Sequence, residues 1–135
     1  MKNLIRTLFL SLVVLISLQC KDKTPQEAEL DKLFDEVMVI HDDVMPKTAT
    51  IHRLKKKLKK NQQGENTAAF TAVIEQLDIA DDGMMQWMQD FEKPKGQPFE
   101  EAKAYYEGEK VKITKVKKEI LSAIAVAEEL IPKAE

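Results

Sequence analysis

The stretch that decides the fold is LDKLFDEVMVIHDDVMPKTATIHRLKKKL, residues 30–58. Apolar residues recur in it every seven positions with a second set between them, which is the pattern of a helix packed along a core seam. The first set is Leu30, Val37, Val44, Ile51 and Leu58, and the second is Leu33, Ile40 and Leu54, interrupted by Lys47. Thr24, Pro25 and Glu27 form a helix start with a capping box, so we predict a helix over 25–60.

Two further segments repeat this heptad pattern. Residues 66–92 carry a seam from Phe70 to Phe91, and residues 98–131 carry another that starts at Phe99. Glycine and proline in the segments between the helices break the pattern. We therefore predict an all-α fold, a coiled-coil-like antiparallel three-helix bundle that occupies residues 25–135 and follows an N-terminal signal helix.

The composition fits this fold and excludes several classes of function. Charged residues make up 33% of the chain, and glycine and proline are scarce, which is typical of long amphipathic helices. The net charge of −2 gives no general attraction to nucleic acid, so we expect no nucleic-acid partner. The sequence has no Gly-x-Ser-x-Gly, Walker, dinucleotide-binding or His-Glu-x-x-His motif, and we expect no enzymatic activity.

The first twenty residues have the organisation of an export signal. Basic residues precede an uncharged apolar run over 8–18 that is too short to span a bilayer comfortably. The only cysteine, Cys20, follows directly, so we predict a lipoprotein signal peptide over 1–19, lipid attachment at Cys20, and a short tether over 20–24. The alternatives are an ordinary secretory signal and an uncleaved anchor. Apart from the covalent lipid, we expect no cofactor.

Each predicted helix has one polar interruption in its seam, and antiparallel pairing places the three interruptions at about the same height. We predict that Lys47 pairs with Asp81 and Glu109 in a polar layer that fixes the register of the helices. The alternative is an ion or small-ligand site, because oxygen-rich clusters suit divalent cations, although the pattern identifies no particular metal. The candidate residues for this layer or site are His41, Asp42, Asp43, Lys47, Asp81 and Glu109.

Pro46 lies inside the predicted first helix. Proline has no N–H, so the hydrogen bond to the carbonyl of Asp42 is lost, and we predict a kink at this position. The kink either wraps the first helix around its partners or leaves a free carbonyl beside the carboxylates of Asp42 and Asp43, where it could help to bind a cation.

A soft apolar cluster on the second helix has two interpretations. It consists of Met84, Met85, Trp87 and Met88. Methionine and tryptophan at helical spacing are usually core residues, whereas an exposed fraction of them would form an adaptable surface for a protein partner. The lysine run 55–60 is typical of a solvated helix end, and contact with anionic lipid headgroups or an acidic partner is the alternative.

Two motifs resemble a known group of proteins. The motifs are HDDVMPK at 41–47 and ADDGMMQWM at 80–88, and they resemble small uncharacterised lipoproteins of Bacteroidota. Such proteins often carry the automatic label of viral A-type inclusion protein repeat proteins, which reflects general coiled-coil similarity. The resemblance implies an exported, lipid-anchored helical protein and supplies no catalytic residues.

The predicted leader, the heptad seams and the absence of catalytic motifs together indicate a class of function. We expect a non-enzymatic binding or structural module of the cell envelope that a lipid attaches to a membrane, in this case the outer membrane. Its partners are then the membrane and an envelope protein. The alternative is an ion-binding or small-ligand-binding protein with its polar site in the middle of the bundle.

Overall fold

A computed structural model describes residues 23–61 and 67–131, and the predicted signal peptide and Cys20 lie outside these described residues. The described chain contains four helices and no strand: α1 (Pro25–Val44), α2 (Lys47–Lys60), α3 (Thr67–Asp90) and α4 (Phe99–Leu130). The predicted all-α fold is confirmed. Within residues 23–61 and 67–131, no helix is both long and apolar enough to cross a bilayer.

The start of α1 is fixed by the capping box that the sequence predicts. The Glu27 N–H donates to Thr24 Oγ1 at 3.2 Å, and the Thr24 N–H donates to Glu27 Oε2 at 2.7 Å. Pro25 occupies the first turn, where its missing N–H costs nothing. The ordered helix therefore begins at the position that the sequence indicates.

The predicted first helix is divided into α1 and α2 at Met45 and Pro46. Both residues keep right-handed helical dihedral angles, so α2 continues from α1 with only a local disruption. The Met45 carbonyl accepts two hydrogen bonds from Thr48, one from the backbone N–H at 3.2 Å and one from the hydroxyl at 2.9 Å, so the first turn of α2 is tied back to Met45. The predicted helix over 25–60 is thus divided into two helices at Pro46, the position where the sequence predicts a disruption.

The helices pack as three rods, with α1 and α2 forming one rod between them. The α1 segment packs against α4, and α2 packs against both α3 and α4. Glu29 binds Lys103 and Glu36 binds Lys110, so contacting residues on α1 and α4 advance together and the two helices are parallel. The α3 helix lies between them in sequence and runs the other way, because its later residues contact earlier residues of α4.

The hydrophobic core is richest around α2 and the adjoining parts of α3 and α4. Its fully buried large side chains are Val37, Val44, Ile51, Leu58, Leu77, Met84, Ile113 and Ile120. On α3, the second buried set is Val73, Ala80 and Trp87. Asp81, the predicted interruption of the seam, lies one position after Ala80 of this set and is only partly buried.

Candidate functional site

Glu109 is the buried charged residue of the described chain, with 3% of its surface exposed. Its heptad position on α4 points the side chain into the bundle, as predicted. Trp87 Nε1–H donates to Glu109 Oε2 at 2.9 Å, and the Lys112 ammonium donates to Oε1 at 2.7 Å. Both carboxylate oxygens therefore have a donor, which offsets much of the cost of burying the group.

Lys112 brings the balancing charge from the protein surface. Its side chain is 66% exposed, so the aliphatic stem lies along α4 and the ammonium reaches Glu109 from the solvent side. The hydrogen bond to Glu109 and the attraction of its charge raise the pKa of Lys112 above the usual range. The sequence predicts that Lys47 balances the charge of Glu109. In the structure Lys112, three positions after Glu109 on α4, does so.

His41 covers the other side of the tryptophan. Its side chain is 15% exposed, and its ring centroid lies 5.6 Å from that of Trp87. His41 Nδ1 lies 2.8 Å from Asp42 Oδ1, so the exposed carboxylate holds the imidazole in place. His41, Trp87, Glu109 and Lys112 thus form a continuous polar and aromatic unit across α1, α3 and α4, which we call the mid-bundle unit.

The predicted layer of Lys47, Asp81 and Glu109 is not formed. Lys47 is exposed, and among the described residues it makes no ion pair with either acid. Pro46 disrupts the helix just before it, and partly buried Thr48 lies one position further along. Asp81 instead faces α2, where its Oδ2 lies 3.5 Å from His52 Nε2.

Asp81 leaves one polar atom without a partner. Its Oδ1 is buried and accepts no hydrogen bond within the described chain. The exposed carboxylate of Asp43 binds Lys117 on α4, so it does not contribute to a shared site with Asp81. No group of three or more His, Cys, Asp or Glu side chains lies close enough to hold a metal ion in residues 23–61 and 67–131.

The soft apolar cluster belongs mainly to the core. Met84 is completely buried and Trp87 nearly so, which leaves neither available to a protein partner. Met85 and Met88 are partly buried and pack against the same core. The predicted partner surface was therefore wrong for Met84 and Trp87, and the core interpretation of the same pattern holds for these two.

Aromatic rings fill the half of the bundle that contains α1. Trp87 stacks on Phe91 with centroids 5.0 Å apart, and Phe34 lies 6.3 Å from Phe91 and 6.1 Å from Tyr106. The Tyr105 hydroxyl accepts a hydrogen bond from the Glu92 N–H at 2.9 Å and so ties α4 to the end of α3. Burial raises the pKa of the Tyr106 hydroxyl above its usual range.

A ladder of ion pairs joins α1 to α4. Its rungs are Glu29 with Lys103, Glu36 with Lys110, and Asp43 with Lys117, and they recur every seven residues on both helices. Sequence reasoning missed this ion-pair ladder, although the signal was present as three acids and three lysines at matching heptad spacing. Charges at these flanking positions select the partner helix and its direction.

Comparisons with known proteins give no relative. No protein-family model matches the chain, and neither a curated protein nor a solved structure has significant similarity to it. The resemblance to Bacteroidota lipoproteins stays a prediction from its two motifs.

Proposed function

We propose that the protein is a lipid-anchored module of the cell envelope that acts by binding or by structural support, without catalysis. In this proposal residues 1–19 are removed as a signal peptide and Cys20 carries the lipid that holds the bundle to the outer membrane. Two or three acyl chains on one cysteine would suffice for stable anchoring.

The observation that carries the proposal is that only three residues separate Cys20 from Thr24, which caps the first turn of α1. Lys23 already binds Asp31 at 2.6 Å, and the capping box of α1 begins at the next residue. The chain between Cys20 and Thr24 can span at most about 14 Å, because an extended residue covers about 3.5 Å. A lipid at Cys20 would therefore hold the start of α1 next to the membrane.

The hydrogen bonds and the ring contact inside the bundle support a structural role. Glu109 has a donor on each oxygen, and His41 is held by Asp42 and packs on the Trp87 ring. Residues committed to such contacts stabilise the packing of the three rods. A binding function would then belong to the outer surface of the bundle.

The test is lipidation of the full chain with its own leader. Cys20→Ala should abolish incorporation of a labelled fatty acid and release the processed protein from the membrane fraction. Gln19→Ala is the matched control, since it changes the neighbouring residue but keeps the thiol, and it should retain the label. A Cys20→Ala protein that stays labelled would contradict the proposal.

A second candidate function rests on the unpartnered oxygen of Asp81. With His52 beside it, Asp81 could bind a cation or small donor molecule at the contact between α2 and α3. Such a ligand would raise the melting temperature by mass action. Thermal melts with a panel of divalent metals test this: the rise should occur in the wild type and vanish in Asp81→Asn, and a wild type that responds to no metal would reject it.

A further inference from the structure

The α2 helix has an unusual charge content. It contains seven cationic residues and no acid. Six of the seven make no ion pair with any other described residue, namely Lys47, Arg53, Lys56, Lys57, Lys59 and Lys60, and all six are exposed. Lys55 is the exception, because it binds Asp78 on α3.

Most cations elsewhere in the described chain form ion pairs with its acidic residues. Lys23, Lys32, Lys93, Lys103, Lys110, Lys112, Lys115 and Lys117 each bind an acid. Outside α2, only Lys95 and Lys118 have no ion pair among the described residues. Free positive charge is therefore concentrated on one helix, and general abundance of lysine does not explain it.

Part of this charge lines one shallow depression on the surface of α2. The depression has a volume of about 510 Å³ and is lined by His52, Lys55, Lys56, Lys59 and Lys60. We call these five residues the basic face. Members that are three or four positions apart, such as His52 and Lys56 or Lys56 and Lys60, lie one helical turn apart, with about 5–6 Å between their Cβ atoms.

The opposite side of α2 is committed to the core. Ile51, Leu54 and Leu58 are buried against the other rods, so α2 has no apolar stripe left to insert into a bilayer or a hydrophobic groove. A partner of the basic face would therefore be held by charge. Lysine ammonium groups on flexible stems suit an array of anions whose positions can adjust, whereas arginine suits a fixed bidentate partner.

We propose that the basic face binds the headgroups of an anionic phospholipid surface. Clustered lysines next to acidic lipids each contribute by a similar amount, and no ordered pocket is needed. The face contains no Phe, Tyr or Trp side chain on which nucleic-acid bases could stack, and its one aromatic ring is that of His52, which argues against a single-stranded nucleic acid. Its shallow form suits a surface better than a small molecule, which needs an enclosing pocket.

The basic face lies far from the start of α1. The rod formed by α1 and α2 spans residues 25–60, so Lys60 is roughly 50 Å from Thr24 at 1.5 Å per residue. The inference does not rest on the proposed lipid anchor, because an uncleaved leader would leave the same face at the same distance. It adds a second membrane contact, made by charge, at the end of the bundle opposite to Thr24.

The experiment uses the full chain reconstituted in phosphatidylcholine nanodiscs that are fixed to beads. The probe is a fluorescent vesicle of roughly two parts phosphatidylcholine to one part phosphatidylglycerol, compared with a vesicle of phosphatidylcholine alone. We expect capture of the anionic vesicle only. The capture should disappear at about 1 M salt, where the screening length is about 3 Å.

Two triple variants locate the binding to the basic face. Lys56→Gln, Lys59→Gln and Lys60→Gln together should weaken capture about a hundredfold, since each lysine near an anionic surface is worth about a fivefold change in affinity. The control is Lys32→Gln, Lys95→Gln and Lys118→Gln, which removes the same charge elsewhere and should leave capture within a fewfold of wild type. Glutamine keeps helix propensity close to that of lysine, and circular dichroism verifies folding.

Three outcomes would overturn the proposal. The first is equal loss of capture in both triple variants, which would assign the effect to net charge. The second is equal capture of neutral and anionic vesicles. The third is binding of polyglutamate or DNA by the same beads when anionic vesicles are not captured, which would assign the face to an acidic protein or a nucleic acid.

Discussion

The two segments of the first rod differ in how they use the same heptad pattern. In α1, only Val37 and Val44 are buried, whereas the shorter α2 buries Ile51, Leu54 and Leu58. The α1 segment contacts α4, and α2 packs against both α3 and α4. A shared sequence pattern therefore gives a helix that packs mainly on α4 in one half of the molecule and a helix that packs on both α3 and α4 in the other.

Charge separates the two segments as well. The α1 helix has seven acids and one lysine, a net charge of −6, and α2 has seven cations and no acid, a net charge of +7. Three of the acids on α1 are bound by lysines on α4, whereas most cations on α2 are unpaired among the described residues. Charge thus aligns helices in one half and stays accessible in the other.

The largest effect is expected from shortening a core side chain of α2. Ile51→Ala in α2 should cost about 2–5 kcal/mol, because it removes a completely buried side chain and leaves a cavity. Ile40→Ala in α1 is the matched control at a partly buried position, and it should cost clearly less. Urea unfolding of the chain that begins at Lys21 measures both. Equal losses would mean that the two segments are equally buried.

The next effect concerns the mid-bundle unit. Trp87→Phe keeps the aromatic ring but removes the indole N–H, so Glu109 loses one donor at a cost of about 1–3 kcal/mol. In a double-mutant cycle with Glu109→Leu, we expect a coupling energy above about 0.5 kcal/mol between the two positions. Chemical unfolding followed by circular dichroism measures it. Additive losses would show that the hydrogen bond contributes nothing.

A smaller effect tests the ion-pair ladder by pH. Hydrogen bonds and attraction from Lys110 and Lys117 hold the pKa of Glu36 and of Asp43 below their ordinary values. A carboxyl group whose pKa is lower in the folded state stabilises the fold above its unfolded pKa, and that stabilisation is lost as the pH falls through the folded pKa. Melting temperature should therefore decline from about pH 5 towards about pH 2.

The control for the pH prediction removes the two carboxylates. The double variant Glu36→Gln and Asp43→Asn should melt at a slightly lower temperature than wild type at neutral pH. Its decline in acid should be shallower, because two of the titrating groups are gone. An identical acid decline in wild type and variant would show that these rungs add nothing to stability.

The smallest effect is expected at Lys47 and Asp81, the two residues of the predicted polar layer that lie outside the mid-bundle unit. Lys47→Gln should change stability by less than about 0.5 kcal/mol, because Lys47 is exposed. Asp81→Asn should also be nearly neutral. The buried Oδ1 of Asp81 accepts no hydrogen bond, so the change removes none at that atom. Thermal melts of the single and double variants measure this, and strong coupling between the two would restore the predicted layer.

Individual residues show which parts of the fold could be predicted. The capping box at Thr24, the interruption at Pro46 and the burial of Glu109 follow from local chemistry and heptad position, and all three are confirmed. Asp81 was misplaced because one residue along a helix rotates the side chain by about 100°, enough to move it from the seam to the flank. On α3, Ala80 takes the core position next to Asp81.

The sequence by itself determined where helices begin and break, because capping, proline and periodicity act within a few residues. The partner of each charge was decided by the tertiary structure alone. Glu109 selects Trp87 and Lys112, and the lysines of α4 match the acids of α1, only when three rods pack in one particular rotation and register. Long side chains can reach several partners, so only the packed rods determine which contacts form and leave most cations of α2 without an ion pair among the described residues.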